Sequence, residues 1–485
     1  MSIKVTKKDI AWNYANLFLT TGINIILLPF ILVNLSSAEM GLWYVFTSFG
    51  TLAILIDFGF STTIARNVTF VWCGAKEISK EGFTQTAKES EPNYYLLFKL
   101  IRTSKTIYLI LASVVFVGLS TIGTLFINES AKEQIAQSDY MIAWIIYFLS
   151  VVINIYYAYW PPLLKGIGAI KESNQVLVAS KVVQLLLTII GLYLGYGLIA
   201  VSAAYFVGNL VMRLAAIYLF NRYENVNDNL SKFKRNKIPI KEKKELFLSV
   251  WPNAYKQGLI SLSNFIQKRA STLISSTYFG LEMASAVGLT QQVFDIIMSV
   301  GNALFNTYIP SMSYERVNRN AKKLKSYYLK ATGLSGYIIL IGGIAAVFIS
   351  PYLLDLINSE TNLLPVILSI ILLIQNLLIN NHTLSGAYIA TGNKIPMYKS
   401  YIMTSAFTII IQLIFVNFTT LGITGVILSG LITNLLFNNW YWPMVSSKEL
   451  NLTTKEYLKG LALEPIKLII ELRSLIIKSS NKKHV

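Results

Sequence analysis

The sequence is poor in the residues that most enzyme and metal sites use. Among 485 residues there is one cysteine, Cys73, and there are only two histidines. One cysteine allows neither an intrachain disulfide nor a metal site built from thiolates. The chain also contains no Walker sequence, no HExxH pattern and no nucleophile elbow, so ATP hydrolysis and metal chemistry have no support in it. We therefore expect no catalytic residues, no bound metal and no cofactor.

Charged residues are scarce as well. They make up 14% of the chain, whereas 54% of the residues are hydrophobic, which is more apolar surface than a soluble domain needs. The formal net charge of +18 is compatible with binding to nucleic acid. However, the basic residues flank apolar stretches of about 20 residues or more, which lipid solvates better than water does. The basicity therefore indicates orientation in a membrane and no nucleic-acid partner.

Twelve apolar segments are each long enough for a helix that crosses a membrane, which takes roughly 20 residues. Lipid cannot satisfy backbone polar groups, so an open chain must cross it as helices. The sequence predicts an all-α, multi-pass (polytopic) membrane protein with about 12 transmembrane helices. The spans lie near residues 10–34, 41–65, 107–127, 140–164, 175–195, 198–221, 246–278, 283–311, 328–356, 362–391, 398–418 and 421–444.

Basic residues alternate between the two sides of these spans. Of the 42 Lys and Arg residues, 35 lie in alternate connections or in the two end segments. Loops rich in Lys and Arg stay in the cytoplasm, so both termini should be cytoplasmic. The connections on the other side are short, and the longest is roughly 128–139, which predicts no extracytoplasmic domain.

The spans fall into two halves of six, and an even number of spans gives both halves the same orientation. The tail interleaves Leu and Ile with Lys and Arg, which predicts a basic amphipathic helix on the inner leaflet that Pro465 bends or breaks. The predicted parts are the first half (1–221), a basic cytoplasmic linker (222–245), the second half (246–444) and the tail (445–485).

Charged residues inside spans seven and eight are the first candidates for function, because each costs about 2.5 to 3.5 kcal/mol at mid-membrane. Lys256 lies about 15 Å from the cytoplasmic start of span seven, near the midplane, and we place Asp295 at a similar depth. The two helices are neighbours, so an ion pair is sterically feasible. This pair only fixes the registry of the two helices, or else Lys256 faces a water-filled cavity, where it meets an anionic substrate. Lys268 and Arg269 lie roughly 33 Å from the same start, where snorkelling anchors are the alternative.

For other titratable residues in the spans, the sequence supports a functional role less strongly. Asp57 and Asp295 are both candidates for taking up a coupling proton or ion. For Asp57, which lies nine residues before Arg66, a structural pair is the alternative. His382 is more commonly a buried, hydrogen-bonded histidine than a proton relay. Lys181 and Arg213 lie in the inner halves of spans five and six, where their side chains can reach the headgroups as anchors.

Polar residues give spans one, two, seven and eight a stripe that must face protein or water rather than lipid. These spans are the predicted walls of a central cavity between the halves. The amide side chains that we assign to substrate binding are Asn13, Asn24, Asn253, Gln257, Asn264 and Gln291.

Several segments resemble a known family. They are residues 13–42, Gln267–Arg269, Tyr278–Glu282 and Ala286–Leu289, and they are similar to the polysaccharide transporter family. Its O-antigen, or Wzx-type, flippases belong to the multidrug/oligosaccharidyl-lipid/polysaccharide superfamily, together with the multidrug and toxic compound extruders. The resemblance covers essentially the whole chain in span count and orientation.

The resemblance implies a flippase in the bacterial cytoplasmic (inner) membrane. It would move an undecaprenyl-diphosphate-linked repeat unit of O-antigen, lipopolysaccharide or a related glycan to the outer leaflet by alternating access. Transport would be coupled to H+ or Na+. The partners of the protein would be membrane lipids and polysaccharide assembly proteins. Lys256, Lys268 and Arg269 would bind the diphosphate. The position of Lys268 is often acidic in the family, so this chain departs from the pattern there.

Two other classes compete with this interpretation. A drug or metabolite exporter of the same fold would favour acidic and aromatic cavity residues for cationic substrates, and the cations of span seven argue against it. A membrane enzyme such as a polysaccharide polymerase or ligase would need a large outer loop for its catalytic groups, and the outer connections are short.

Overall fold

The computed structural model describes residues 26–57, 59–72, 74–77, 91–132, 135–233, 238–317, 320–392 and 396–481, with four single positions before residue 26. This part of the chain is helical and contains no β-strand. Nine of its stretches are long and apolar enough to cross a membrane. The prediction of an all-α, multi-pass membrane protein is confirmed.

The chain forms two compact units. The first unit extends to Phe265 and includes Phe279–Ser285 and Ser359–Thr361, and the second contains the remaining residues. Helices of the first unit are α1 (Ser37–Leu55), α2 (Phe60–Trp72), α3 (Tyr94–Gly118), α4 (Thr124–Ala131), α5 (Gln137–Tyr156), α6 (Trp160–Gly166), α7 (Ile170–Tyr193), α8 (Gly197–Arg222), α9 (Val226–Ser231) and α10 (Ile240–Phe265).

The second unit begins with a π-helical turn, Ile266–Ala270, that continues from α10. Its helices are α11 (Ser271–Val317, broken at Gly280, with Phe279–Ser285 assigned to the first unit), α12 (Ala321–Leu356), α13 (Val366–Ala390), α14 (Tyr398–Phe418), α15 (Ile423–Leu436), α16 (Asn438–Glu449) and α17 (Thr454–Asn481).

Three predicted spans are pairs of helices rather than single ones. Span two corresponds to α1 and α2, span four to α5 and α6, and span twelve to α15 and α16. Hydropathy reports how apolar a stretch is but not where its axis changes direction, so these breaks were not predicted. The break in span two lies at Asp57 and is followed by Gly59 at φ 72°, a conformation that favours glycine.

Aromatic side chains pack α1 against α5 in the first unit. The ring centroids of Phe46 and Trp144 lie 5.1 Å apart, and those of Trp43 and Tyr147 lie 5.5 Å apart. Gly50 allows the close approach, because a Cβ there would lie 2.1 Å from the Tyr147 hydroxyl oxygen.

Helix α10 is packed within the first unit. The ring of Phe60 in α2 lies 5.6 Å from that of Phe247, and Lys99 forms a 2.5 Å ion pair with Glu242. The sequence assigns residues 246–265 to the second half of the chain. The division into two halves of six spans stays a prediction, and the compact first unit contains α10.

The tail forms one helix, α17, that passes through Pro465. The helix is not broken at Pro465, so the expected break is wrong, whereas a bend there stays a prediction. The packing shows how the proline is accommodated. Proline cannot donate to the carbonyl oxygen four residues earlier, that of Leu461. This oxygen faces Gly333 of α12, where a Cβ would lie 2.3 Å from it and 2.6 Å from the ring of Pro465. Because Gly333 has no side chain, α17 can pack closely on α12.

Candidate functional site

The π-helical turn brings together three charged side chains, which we call the charge cluster. Lys268 Nζ lies 2.7 Å from Asp295 Oδ1, and Arg269 NH2 lies 3.4 Å from Asp295 Oδ2. Consecutive residues of a regular α-helix point about 100° apart, whereas these two reach the same carboxylate. The side chains are 35%, 23% and 22% exposed for Lys268, Arg269 and Asp295 respectively. π-Helical turns are frequent at functional sites.

The charge cluster carries one positive charge in excess. Asp295 balances one of its two cations, and the remaining charge lies inside an apolar stretch, residues 258–309, that is long enough to cross a membrane. A net charge there costs free energy unless a ligand or water compensates it. The arrangement is therefore suited to a second anion that carries several acceptor oxygens.

Amide side chains surround the charge cluster. Gln291 is 5% exposed, and its Nε2 donates to Asp295 Oδ1 at 3.2 Å and to Asn376 Oδ1 at 3.4 Å. Gln267 Nε2 donates to the Ser405 hydroxyl at 3.4 Å. A cavity of about 10 Å³ lies between Lys268, Gln291 and neighbouring residues, which is room for about one water.

The sequence count separates Lys268 and Arg269 in depth from Asp295, whereas their contacts place them level with it. Their role as anchors at the outer interface stays a prediction. Lys268 lies 12 residues before Gly280 and Asp295 lies 15 residues after it, so both are about 20 Å from the turn. Counting from this shared turn, rather than from the distant start of span seven, pairs them correctly. Pairing of Asp295 with Lys256 stays a prediction.

Lys256 lies on α10 in the first unit. It is partly buried, and its Nζ lies 6.0 Å from the ring centroid of Tyr255. Asn264, also on α10, is partly buried. Asn13 and Asn24 lie outside the described residues, as do the side chains of Asn253 and Gln257.

A second polar group lies around Asp57 in the first unit. The carboxylate accepts hydrogen bonds from the Tyr108 hydroxyl and from Ser61, whose backbone N and Oγ lie 3.2 and 2.8 Å away. The bond to Ser61 satisfies one of the backbone N–H groups in the first turn of α2 that have no partner within the helix. The side chain of Arg66 lies outside the described residues. Asp57 thus has a structural role here, and its coupling role stays a prediction.

Arg213 is not the anchor that the sequence predicts. It is 8% exposed, and its Nε donates to Asn154 Oδ1 at 2.7 Å. Lys181 donates to Gln184 Oε1 at 3.0 Å. Hydropathy cannot distinguish an arginine that reaches the headgroups from one that finds an amide inside the unit, so this buried cation was missed.

His382 is a buried, hydrogen-bonded histidine, which is the commoner of the two predicted roles. Its Nδ1 lies 2.8 Å from Asn439 Oδ1, and the Tyr401 hydroxyl donates to its backbone oxygen. A nearby amide network was not predicted. Asn302 Nδ2 donates to Asn380 Oδ1 at 2.8 Å, and the Ser335 hydroxyl donates to Asn302 Oδ1 at 2.7 Å. The sequence feature that could have indicated polar contacts here is the i, i+4 spacing of Asn376 and Asn380, which puts both side chains on one helix face.

No group of three or more His, Cys, Asp and Glu side chains that suits a metal ion occurs in the described ranges of the chain. No family model matches the sequence, and no curated protein is detectably similar to it.

Solved structures are similar to this chain over nearly its whole length. An inward-facing multidrug resistance MATE family transporter of the MOP superfamily aligns with a TM-score of 0.65 and 16% identity, covering 92% of this chain and 100% of that chain. The lipid II flippase MurJ, in an inward closed conformation, aligns with a TM-score of 0.61 and 13% identity, covering 96% of this chain and 92% of that chain. A MOP superfamily transporter from Pyrococcus furiosus aligns with a TM-score of 0.53 and 17% identity, covering 93% and 100%. The chain therefore has the fold of the MOP superfamily transporters.

Proposed function

We propose that this protein is a flippase for an undecaprenyl-diphosphate-linked oligosaccharide repeat unit, in the bacterial cytoplasmic membrane with both termini in the cytoplasm. The observation that carries the proposal is the charge cluster of Lys268, Arg269 and Asp295, with its excess positive charge. It supports a substrate that is anionic and rich in acceptor oxygens. The likeness to the lipid II flippase MurJ supports a lipid-linked substrate for this fold.

Charge decides between the flippase and a multidrug exporter of the same fold. A diphosphate brings about two negative charges, and Lys and Arg donate charge-assisted hydrogen bonds to its oxygens. A cationic drug would instead meet the excess positive charge. The amides around the cluster, such as Gln291 and Asn376, are suited to sugar hydroxyls.

Asp295 acts as the counter-ion of the empty site. Its carboxylate and a diphosphate compete for the same two cations, so a proton on Asp295 would strengthen diphosphate binding. In a proton exchanger, proton uptake must instead weaken substrate binding, so that the substrate is released. We therefore assign Asp295 to substrate binding and keep Asp57 as the residue for H+ or Na+ coupling. His382 is the second coupling candidate.

Reconstituted flipping tests the proposed function. The purified protein is placed in liposomes with a polyprenyl-diphosphate-linked oligosaccharide in one leaflet, and a membrane-impermeant lectin reports arrival in the other. We expect flipping well above that of empty liposomes. Absence of flipping together with efflux of a cationic dye from the same liposomes would contradict the proposal and favour the exporter.

Lys256 gives a prediction for the first unit. We expect Lys256→Ala to abolish flipping at normal protein abundance and Lys256→Arg to keep part of it, because the arginine retains the charge. Lys467→Gln, a change on the exposed tail, is the matched control. Unchanged flipping in the alanine variant would remove Lys256 from the site.

The two carboxylates should respond differently to amide replacement. We expect Asp295→Asn to bind the lipid-linked diphosphate at least as tightly as the natural protein and to keep its dependence on an imposed ion gradient. We expect Asp57→Asn to lose that dependence. Flipping is measured with and without the gradient. Loss of gradient dependence in Asp295→Asn alone would reverse the assignment.

A further inference from the structure

A groove runs along the second unit between the tail helix α17 and helices α12 and α13. Its volume is about 300 Å³, which lies in the range of ligand pockets. The exposed surface of the lining is mostly apolar, from residues such as Gly336, Leu340, Leu377 and Leu458, and the polar residues Thr332, Tyr337, Asn380 and Asn381 also line it.

The walls of the groove are held in place by hydrogen bonds at both ends. The Tyr457 hydroxyl donates to Asn381 Oδ1 at 2.9 Å, and the Tyr337 hydroxyl donates to the backbone oxygen of Ala462 at 3.0 Å. Tyr328 lies 3.3 Å from Tyr457, hydroxyl to hydroxyl. The groove is therefore a built feature of the packed tail helix and not a gap at a loose end.

Successive contacts show that α12 and α17 run in the same direction. Tyr328 meets Tyr457, then Gly333 meets Leu461, and then Tyr337 meets Ala462. Residues that precede the groove on the two helices therefore lie at the same end of it.

Lysines occur at that end on both helices. On α12, Lys330 precedes Gly333 by three residues and Tyr337 by seven, spacings that place side chains on one helix face. On α17, Lys455 precedes Leu458 by three residues and Ala462 by seven, and exposed Lys459 follows Leu458 directly. An apolar groove thus opens at a basic end.

We propose that this groove binds an anionic phospholipid, with one acyl chain between α12, α13 and α17 and the phosphate at Lys330, Lys455 and Lys459. Charge complementarity selects the occupant. An acyl chain needs an apolar slot, and an anionic headgroup needs cations at the membrane surface. The predicted orientation puts the lysines at the cytoplasmic leaflet, where anionic lipids attract basic segments. The site is independent of the transported substrate.

Gly336 supplies a substitution that fills the groove without disturbing the fold. A Cβ at Gly336 meets no atom within 4 Å, and leucine is a better helix former than glycine. Gly118, at the end of α3 in the first unit, also has open space around its Cβ. Gly118→Leu is therefore the matched control for Gly336→Leu.

Native mass spectrometry of the full-length, delipidated protein tests the proposal. It is titrated with phosphatidylglycerol and, separately, with phosphatidylcholine. We expect one phosphatidylglycerol per chain at concentrations where phosphatidylcholine adds little. Gly336→Leu should reduce this occupancy at least tenfold, whereas Gly118→Leu should leave it unchanged.

A second pair of variants tests the basic end. Lys455→Gln with Lys459→Gln should lower phosphatidylglycerol occupancy about fivefold, and Lys467→Gln should not, because Lys467 already pairs with Glu464 at 2.7 Å. The proposal would be overturned if Gly336→Leu bound as much phosphatidylglycerol as the natural protein. Equal binding of phosphatidylglycerol and phosphatidylcholine would also overturn it. Displacement of phosphatidylglycerol by undecaprenyl phosphate would also overturn it, since the groove would then belong to the carrier lipid of the substrate.

Discussion

Neutralising the charge cluster should reduce flipping about 100-fold. In a variant with Lys268→Gln, Arg269→Gln and Asp295→Asn, all three charges are lost together, so no buried charge is left without its partner. Two hydrogen bonds to a charged ligand contribute about 3 kcal/mol, and the expected loss follows from that figure. The measurement is the initial rate of flipping of a polyprenyl-diphosphate-linked oligosaccharide in liposomes.

The control for this triple variant is Asp295→Asn alone. It removes the counter-ion and keeps both cations, so its rate of flipping should exceed that of the triple variant by at least tenfold. Protein abundance should be similar in both, whereas the thermal unfolding temperature should be lower in Asp295→Asn, because this variant leaves two cations without a counter-ion. Equal rates in the single and triple variants would show that Lys268 and Arg269 do not bind the substrate.

Substitutions at two glycines of α12 should change stability in opposite directions. Gly333→Ala places a Cβ 2.3 Å from the Leu461 carbonyl oxygen, so the tail helix must move, at a cost of about 1–3 kcal/mol. Gly336→Ala meets open space and gains up to about 1 kcal/mol of helix propensity.

Thermal unfolding and limited trypsin digestion at Lys459 report both effects. We expect a lower unfolding temperature and faster cleavage in Gly333→Ala, and a slightly higher unfolding temperature with no faster cleavage in Gly336→Ala. Identical behaviour of the two variants would show that the contact of Gly333 with Leu461 does not hold α17 in place.

Apolar length was enough to predict the fold class. Predicted span ten, 362–391, matches α13, and span eleven, 398–418, matches α14, because each is one uninterrupted helix. Breaks such as that at Asp57 depend on packing and local backbone conformation. Hydropathy does not record either one.

The candidate site was predicted in part. Lys268, Arg269 and Asp295 were singled out because charges in an apolar span are costly, and the structure joins them. The predicted spans seven and eight bracket the turn at Gly280, but the depth of Lys268 was counted from the distant start of span seven, so the pairing was missed. Arg213 was misread because its partner, Asn154, is 59 residues away in sequence.

The excess charge of the cluster has a consequence for the energy source of transport. With a substrate of two negative charges, the occupied cluster would carry about one negative charge, whereas the empty cluster carries one positive charge. A membrane potential that is negative inside would push the occupied form outward and draw the empty form back, contributing up to about 2.3 kcal/mol per charge per 100 mV in each direction. The membrane potential would then favour both halves of the cycle, in addition to any ion coupled through Asp57.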